Sequence, residues 1–411
     1  MARSTSDTAA RAEDMAFGEF VAIVALMMAL TALSIDIMLV ALPDIAASYA
    51  LSDPNDRQLV ITAYLLGFAA GQPVCGPLSD RFGRKPVLAA GILVFGVGSL
   101  GALAAPDFGW LLWARALMGL GAAAPRIMAI SIVRDRFAGR GMARVMSFVM
   151  MIFIIIPIIA PSLGALILLG GDWHWIFAAL FAVGLLLLVW TGVRLPETLP
   201  PAKRRPLSLG SIGEAARTVV TTRQTVGYTL AMGFMFGSLM TYIGSAQQVF
   251  MDAYDVSAEM FPLLFALVAS VMALASLTNA RLVERIGMRR VSHAALLGFV
   301  AAGAVLAAFG FPALPPLAVL VAFLMVTFFC FGLIAPNFNA LAMEPLGHIA
   351  GMGSSLTGFY GTAGGAVFGW LAGQAYDGSV QPLTVGFAAF GVLALVCVLV
   401  TERGRLFGGH H

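Results

Sequence analysis

Charged residues are scarce in this sequence: they make up only 11% of its 411 residues, whereas 60% are hydrophobic. A soluble domain usually carries about 25% charged residues. The shortage therefore excludes an ordinary soluble protein and predicts an integral membrane protein. The net charge of +3 is small, and it does not predict a nucleic-acid partner.

Several signatures of chemistry are also missing. The three cysteines, Cys75, Cys330 and Cys397, form no CxxC motif, so neither a disulfide framework nor a metal site is expected. The sequence has no GxxxxGKS/T loop, which disfavours primary ATP-driven pumping by this chain. It also shows no pairing of a nucleophile with a base, which disfavours an enzyme. No cofactor is predicted.

Long apolar runs, in contrast, recur along the whole chain. Each has about the length that a membrane-spanning helix requires. Twelve such runs are predicted to span the membrane, at 17–42, 58–78, 86–105, 108–133, 142–169, 173–193, 225–251, 260–281, 291–310, 317–341, 351–375 and 383–401. The polar first sixteen residues do not resemble a secretory signal, because the apolar run after them is too long.

The positive charges predict the topology. Outside the apolar runs, alternate loops hold every Lys and Arg except Arg57, so both termini and the long basic linker are expected in the cytoplasm. The predicted organisation is a six-helix bundle at 1–193, a linker at 194–224, a second bundle at 225–402 and a tail at 403–411. The final GGHH resembles the remains of a purification tag.

An internal repeat supports two halves. The segment GPLSDRFGRKPVL begins at Gly76, and ARLVERIGMRRV begins at Ala280. Aligning Gly83 with Gly287 places Asp80 over Glu284 and Arg81 over Arg285. Parallel repeats of this kind are typical of secondary transporters, which hold substrate near the midplane between their halves.

GPLSDRFGRKPVL resembles the GxLxDRxGRKxxL motif of the major facilitator superfamily. SIDIMLVALPDI and RALMGLGAA resemble motifs of the drug/proton antiporters in that superfamily. PIIAPSLGA, which contains Pro157, Pro161 and Gly164, is similar to their helix-5 motif, although Ala160 and Ala165 replace two glycines. FNALAMEPLGHIAGMGSSLTG resembles the Bcr/CflA group of multidrug exporters. The resemblance implies a twelve-helix fold, proton-coupled export and a bacterial inner-membrane location.

The repeated motif is expected to gate the cytoplasmic side. Its residues would hold that side closed when the cavity faces outward, and the second copy would be the weaker of the two. The alternative is a basic loop that only sets topology. The predicted gate residues are Gly76, Asp80, Arg81, Gly83, Arg84, Lys85, Glu284 and Arg285.

Three charged residues fall deep inside the predicted spans: Asp36, Arg115 and Arg126. Such groups are costly in lipid and are therefore functional candidates. Asp36 and Arg115 share a depth, which predicts that they are neighbours and that they couple transport to protons. The alternative is a permanent Asp36–Arg115 bridge that only fixes helix packing.

Arg126 lies eleven residues after Arg115, on the same helix face and roughly 16 Å further along the axis. The excess of positive charge predicts a substrate that is neutral, zwitterionic or partly anionic. An arginine that only anchors the helix is the alternative. Further predicted substrate-binding residues are the uncharged polar side chains Tyr64, Tyr242, Gln247, Asn337 and Tyr360.

These patterns together predict an all-helical, proton-coupled secondary transporter in the lipid bilayer. It would work as a monomer and export small, largely apolar drug-like or metabolite molecules by alternating access. One alternative is a proton-coupled symporter that imports a small anionic or zwitterionic solute. Another is a membrane sensor or accessory protein without transport activity.

Overall fold

The computed structural model describes residues 15–137, 139–204, 209–308 and 314–408. In these residues the chain forms helices and no strand, and twelve of the helices have 20 residues or more. The long helices are α1 (Phe17–Asp36), α2 (Leu59–Phe82), α3 (Arg84–Leu103), α4 (Phe108–Arg136), α5 (Gly139–Gly170), α6 (His174–Arg194), α7 (Arg223–Gln247), α8 (Phe261–Ile286), α9 (Met288–Ala308), α10 (Leu317–Met343), α11 (Ala350–Gln374) and α12 (Gln381–Thr401).

Ten helices in the described residues are long and apolar enough to cross a membrane. The two long helices outside that set are α5, which contributes a shorter apolar stretch at Ile155–Gly170, and α11, which is rich in glycine. The chain is therefore a multi-pass membrane protein. The count of twelve spans and the sidedness of the termini stay predictions.

Helix packing repeats within the chain. In the first half, α1 packs on α4, α5 and α6, α2 packs on α4, and α3 packs on α4 and α6. In the second half, α7 packs on α10, α11 and α12, α8 packs on α10, and α9 packs on α10 and α12. Every pair recurs when six is added to both helix numbers. The halves meet through α2 with α11 and α5 with α8, which are also equivalent under this rule.

The two copies of the repeated motif occupy equivalent places. Gly83 alone separates α2 from α3, and Gly287 alone separates α8 from α9. Both have positive φ, +106° and +85°, a conformation that glycine adopts without steric cost. The motif is therefore two helix ends joined by one glycine, rather than the extended loop expected from Gly76 to Leu88.

The first predicted span is interrupted. The run 17–42 reads as one helix in sequence, but α1 ends at Asp36 and is followed by a 3-10 turn at Leu39–Ala41 and a short helix at Leu42–Ser48. Pro43 explains the break, because its ring clashes with the carbonyl four residues earlier and it has no N–H to donate. The break places Asp36 at a helix end inside the membrane region.

The linker predicted at 194–224 also contains structure. A 3-10 turn covers Pro201–Lys203, and a helix at Leu209–Thr221 packs on α11. Residues 205–208 of the linker lie outside the described residues, as do residues 1–14 of the predicted first bundle and the last three residues of the tail. The domain boundaries stay predictions.

Candidate functional site

Asp36 lies at the break of α1 and is only 3% exposed. In the described part of the chain, no hydrogen bond or ion pair reaches its carboxylate. Buried carboxylates are normally paired, since an isolated charge is costly away from water. The 3-10 turn that follows Asp36 contacts α7, so the break faces the second half of the molecule.

Arg115 of α4 is fully buried beside the same break. Its Nη2 donates to the carbonyl oxygen of Ser34 at 3.0 Å, and its Nε donates to the carbonyl oxygen of Val60 at 3.1 Å. In an uninterrupted helix the Met38 amide would donate to the Ser34 carbonyl, but at the break it donates to the Ile35 carbonyl instead. Arg115 therefore supplies the hydrogen bond that the Ser34 carbonyl would otherwise lack. The direct contact expected between Asp36 and Arg115 is therefore not made; Arg115 bonds the backbone around Asp36.

Gly164 of α5 packs against the break in α1 from another side. A Cβ at this position would collide with the carbonyl oxygen of Ile37 and would lie 2.7 Å from Cγ2 of Val40. Pro157 and Pro161 lie earlier in the same helix. The absence of a side chain at Gly164 thus lets α5 approach the backbone directly after Asp36.

Tyr242 lies in a cluster of rings on the second-half side. It stacks on Phe265 with 5.5 Å between ring centroids and meets Phe328 edge-on at 4.9 Å. Its hydroxyl is buried and has no hydrogen-bond partner among the residues that the structure describes. This predicted substrate residue therefore presents an unused polar atom in apolar surroundings, close to Asp36.

Tyr64 and Arg126 lie on the first-half side. Tyr64 is fully buried, and the guanidinium of Arg115 sits 4.6 Å from its ring centroid. Arg126 is partly buried. Its position on the same side of α4 as Arg115 stays a prediction from their spacing.

The other predicted substrate residues lie apart from the break. Asn337 donates to Asn279 at 2.7 Å and links α10 to α8. Gln247 donates to Asp252 at 3.0 Å, and its side-chain oxygen is buried without a partner. Tyr360 of α11 is 43% exposed. The structure does not bring these three residues together with Asp36.

Around the first motif, Arg84 is the central cation and is buried. Its Nη1 donates to Asp80 at 2.7 Å and to Ser79 at 2.6 Å, and its Nε donates to Asp135 of α4 at 3.0 Å. We name Ser79, Asp80, Arg84 and Asp135 the motif cluster. It ties α2, α3 and α4 together within the first half.

Glu197, which the sequence analysis did not select, caps the start of α3. Its carboxylate accepts from the backbone amides of Arg84 at 2.9 Å and Lys85 at 3.2 Å, and also from that of Leu199 at 2.9 Å. A Cβ on Gly83 would collide with this carboxylate. An anion suits a helix N-terminus because its first amides lack intrahelical partners.

The remaining predicted gate residues are placed less centrally. Arg81 stacks on Phe82, with 5.3 Å from its guanidinium carbon to the ring centroid. A Cβ on Gly76 would lie 3.1 Å from the Ser355 hydroxyl of α11. Glu284 and Arg285 are exposed, and no ion pair among the described residues includes them.

Arg289 supplies the ion pairs at the second-half end instead. It contacts Glu344 and Glu402, each at 3.1 Å. Burial opposes ionisation of Glu402, but hydrogen bonds from Tyr228 and Arg289 outweigh it and lower the pKa of this carboxyl. The second half therefore builds its cluster from different positions than the sequence repeat predicts.

Cavities of different size lie towards the two ends of the molecule. At the end that carries the motif cluster, a cavity of about 630 Å³ lies between the motif, the linker and α11. Towards the opposite end, where α2 begins, a cavity of about 10 Å³ lies between the halves, and we name this the narrow end. The larger cavity is lined by Asp80, Arg84, Arg134, Leu199, Ala202, Arg204 and Gly351.

A two-half helical fold with a buried acid at its centre defines a membrane transporter. The family model described as Major Facilitator Superfamily matches residues 24–369, and the chain belongs to this superfamily. Its members are transporters rather than enzymes. The match confirms the family that the motifs predicted, and the relatives described next support its drug/proton antiporter branch.

Two curated relatives and one solved structure illustrate the similarity. The chain is 33% identical over 347 residues to the uncharacterized MFS-type transporter YdgK of Bacillus subtilis, covering 83% of this chain and 85% of YdgK. It is 29% identical over 364 residues to a bicyclomycin resistance protein homolog of Haemophilus influenzae, covering 88% and 90%. Its fold matches the human organic anion transporter MFSD10 with a TM-score of 0.71 and 18% identity, covering 93% and 99%.

Proposed function

We propose that this protein is a proton-coupled exporter of small, largely apolar drug-like or metabolite molecules. It would cross the bacterial inner membrane twelve times as a monomer, with both termini in the cytoplasm. The observation that carries the proposal is Asp36, a buried carboxyl without an ion-pair partner among the described residues, placed at a helix break between the halves.

Proton coupling needs a group whose proton affinity changes between conformations. A lone buried carboxylate is costly as an anion, so Asp36 would carry its proton in the conformation described. Access of water to Asp36, first from the outer end and then from the inner end, would remove that cost and let the proton bind on one side and leave on the other. Because Arg115 is engaged with backbone carbonyls, it would hold the break in shape rather than neutralise the acid.

The sidedness follows from the predicted topology. If the motif cluster faces the cytoplasm, the 630 Å³ cavity beside it opens on the cytoplasmic side. A proton on Asp36 would then be released to the cytoplasm, which suits a carrier that exchanges inward protons for outward substrate. The bicyclomycin resistance relative supports drug efflux as the direction.

The substrate would bind between Asp36 and the inner cavity. Tyr64 and Arg126 would offer polar contacts from the first half and Tyr242 from the second half. The aromatic rings around Tyr242 suit apolar groups, with a few polar atoms to orient them. Arg126 would recognise a polar or negative group on the same molecule.

Inside-out membrane vesicles test this function. A pH gradient is imposed across vesicles that contain the protein, and the accumulation of radiolabelled bicyclomycin or of other apolar antibiotics is measured. We expect accumulation that rises with the gradient and collapses when a protonophore is added. Matched vesicles from cells without the protein are the control.

Three other outcomes would contradict the proposal. Accumulation that is independent of the gradient would indicate uncoupled transport. Uptake by right-side-out vesicles together with protons would indicate the importing symporter. No flux of any tested compound in either orientation would favour a sensor or accessory protein.

A further inference from the structure

The narrow end of the molecule is held by polar side chains that the transport site does not use. They come from the start of α2 in the first half and from the ends of α7 and α11 in the second half. We name this set the amide latch; its members are Asn55, Arg57, Gln58, Gln248, Asp252, Gln374 and Tyr376.

Gln58 is the centre of the amide latch. Its Nε2 donates to Gln248 at 2.5 Å and to the carbonyl oxygen of Gly373 at 3.1 Å, and the residue is only 2% exposed. Gly373 makes room for it, because a Cβ there would collide with the side-chain oxygen of Gln58. Gly244 lies on the other side, where a Cβ would be in ordinary contact with the same oxygen at 3.4 Å. The first half thus inserts one amide into a slot of the second half.

Asn55 adds a second layer of contacts. Its side-chain oxygen accepts from Gln248 at 2.6 Å, and its Nδ2 donates to the carbonyl oxygens of Gln374 at 3.1 Å and Tyr376 at 2.9 Å. Gln374 returns a bond to the Asn55 carbonyl at 3.1 Å. The two halves are therefore tied by reciprocal hydrogen bonds between neutral groups.

The amide latch also contains one ion pair. Arg57 is the only Lys or Arg in the loops that the sequence predicts on the side opposite the cytoplasm. It pairs with Asp252, which lies in a π-helical turn at Gln248–Ala253. Such turns often occur at functional sites. The Tyr376 hydroxyl donates to the Gln248 carbonyl at 3.0 Å, and burial together with the Asp252 charge raises the pKa of Tyr376, so this donor stays neutral.

We propose that Gln58 is a gating residue of the transport cycle: its insertion between Gly244 and Gly373 closes the narrow end, and its withdrawal opens it. Neutral amides suit a contact that must break repeatedly, because a hydrogen bond between neutral groups contributes less net free energy than one to a charged group. Tyr242 precedes Gln248 by six residues, or roughly 9 Å of helix. The amide latch would therefore shield the Asp36 region from this end.

This inference rests on the proposed function for the transport cycle in which the narrow end opens and closes. Its test measures the gap directly. Ser52 and Ala258, both exposed at this end, are replaced by cysteines and spin-labelled after Cys75, Cys330 and Cys397 are replaced by alanine. Double electron–electron resonance then gives the distance between the two spin labels, and so between the halves, in the absence of substrate and of a pH gradient.

Gly373→Ala is the decisive variant, and Gly361→Ala in the same helix is its control. A Cβ at Gly361 meets nothing within 4 Å, while both changes raise helix propensity equally. We expect Gly373→Ala to add a longer distance and to raise the open-to-closed ratio about tenfold, whereas Gly361→Ala keeps the parent distribution. Coinciding distributions in the two variants would overturn the proposal.

Gln58→Ala gives an independent arm, which also covers failure of Gly373→Ala to fold. It keeps both glycines and removes the inserted amide, so the same longer distance is expected. An unchanged distance in Gln58→Ala would refute the gating role. Because no transport is measured, a failed export assay leaves this result standing, and a failed distance test leaves the proposed export standing.

Discussion

The guanidinium of Arg115 lies against the backbone two residues before Asp36, with Nη2 at 3.0 Å from the Ser34 carbonyl oxygen. Its Nε bonds the carbonyl of Val60 at 3.1 Å, so one side chain joins the broken end of α1 to the start of α2. Asp36 and Arg115 are thus connected through backbone and not through a salt bridge.

Arg115→Lys should therefore fail to replace arginine although it keeps the charge. A lysine ammonium lacks the planar fork that serves both carbonyls, and each buried carbonyl left without a donor costs about 1–3 kcal/mol. We expect a lower thermal unfolding midpoint in detergent and loss of transport. Arg290→Lys, at an exposed position, is the matched control. Equal midpoints for both variants would show that the carbonyl bonds contribute little.

Asp36→Asn should separate transport from the proton gradient. The amide has nearly the shape of the protonated carboxyl but cannot release a proton. In proteoliposomes we expect exchange of labelled for unlabelled substrate to continue, while stimulation by an imposed pH gradient disappears. Gradient-driven transport at the parent rate would exclude Asp36 as the coupling group.

Gly164→Ala should disturb the break of α1 without changing any charge. Its methyl group would collide with the Ile37 carbonyl oxygen and press on Val40, and overpacking of this kind costs about 1–3 kcal/mol. We expect a lower unfolding midpoint and slower transport. Gly170→Ala on the same helix meets nothing within 4 Å and should behave like the parent. Normal behaviour of both variants would mean that α5 can shift away freely.

Glu197→Gln should weaken the start of α3. The neutral amide can still accept hydrogen bonds, but it loses the attraction between an anion and a helix N-terminus, worth about 0.3–1 kcal/mol. We expect a small drop in the unfolding midpoint and a larger one for Glu197→Ala, which removes the acceptor. Glu259→Gln, at an exposed position before α8, controls for loss of a surface carboxylate. The same drop in all three variants would argue against the capping role.

The sequence predicted the fold through signals that depend on local composition. Apolar runs located the long helices, and the alignment of Gly83 with Gly287 anticipated two equivalent glycine links, because both features are written into consecutive residues. The break after Asp36 had a local signal in Pro43, but a long apolar run concealed it. Residues that act at a distance were harder to find.

Partner choice in the site depends on three-dimensional contacts that spacing does not encode. Equal depth suggested that Asp36 and Arg115 would pair, yet the orphaned Ser34 carbonyl supplies an acceptor that only the broken helix creates. Likewise, no motif in the sequence around Gln58 marks it as a functional residue. Its slot comes from Gly244 and Gly373, which lie on two helices far along the chain.

Arg126→Ala tests whether the second arginine of α4 recognises substrate. The side chain is partly buried, and its spacing from Arg115 predicts that it lies on the same side of the helix. Hydrogen bonds to charged groups contribute about 1.5–3 kcal/mol, so KM should rise about tenfold or more for substrates that carry a negative or polar group. Purely apolar substrates of the same exporter provide the internal control, since their KM should change little. An equal loss for both substrate types would instead assign Arg126 to the helix framework.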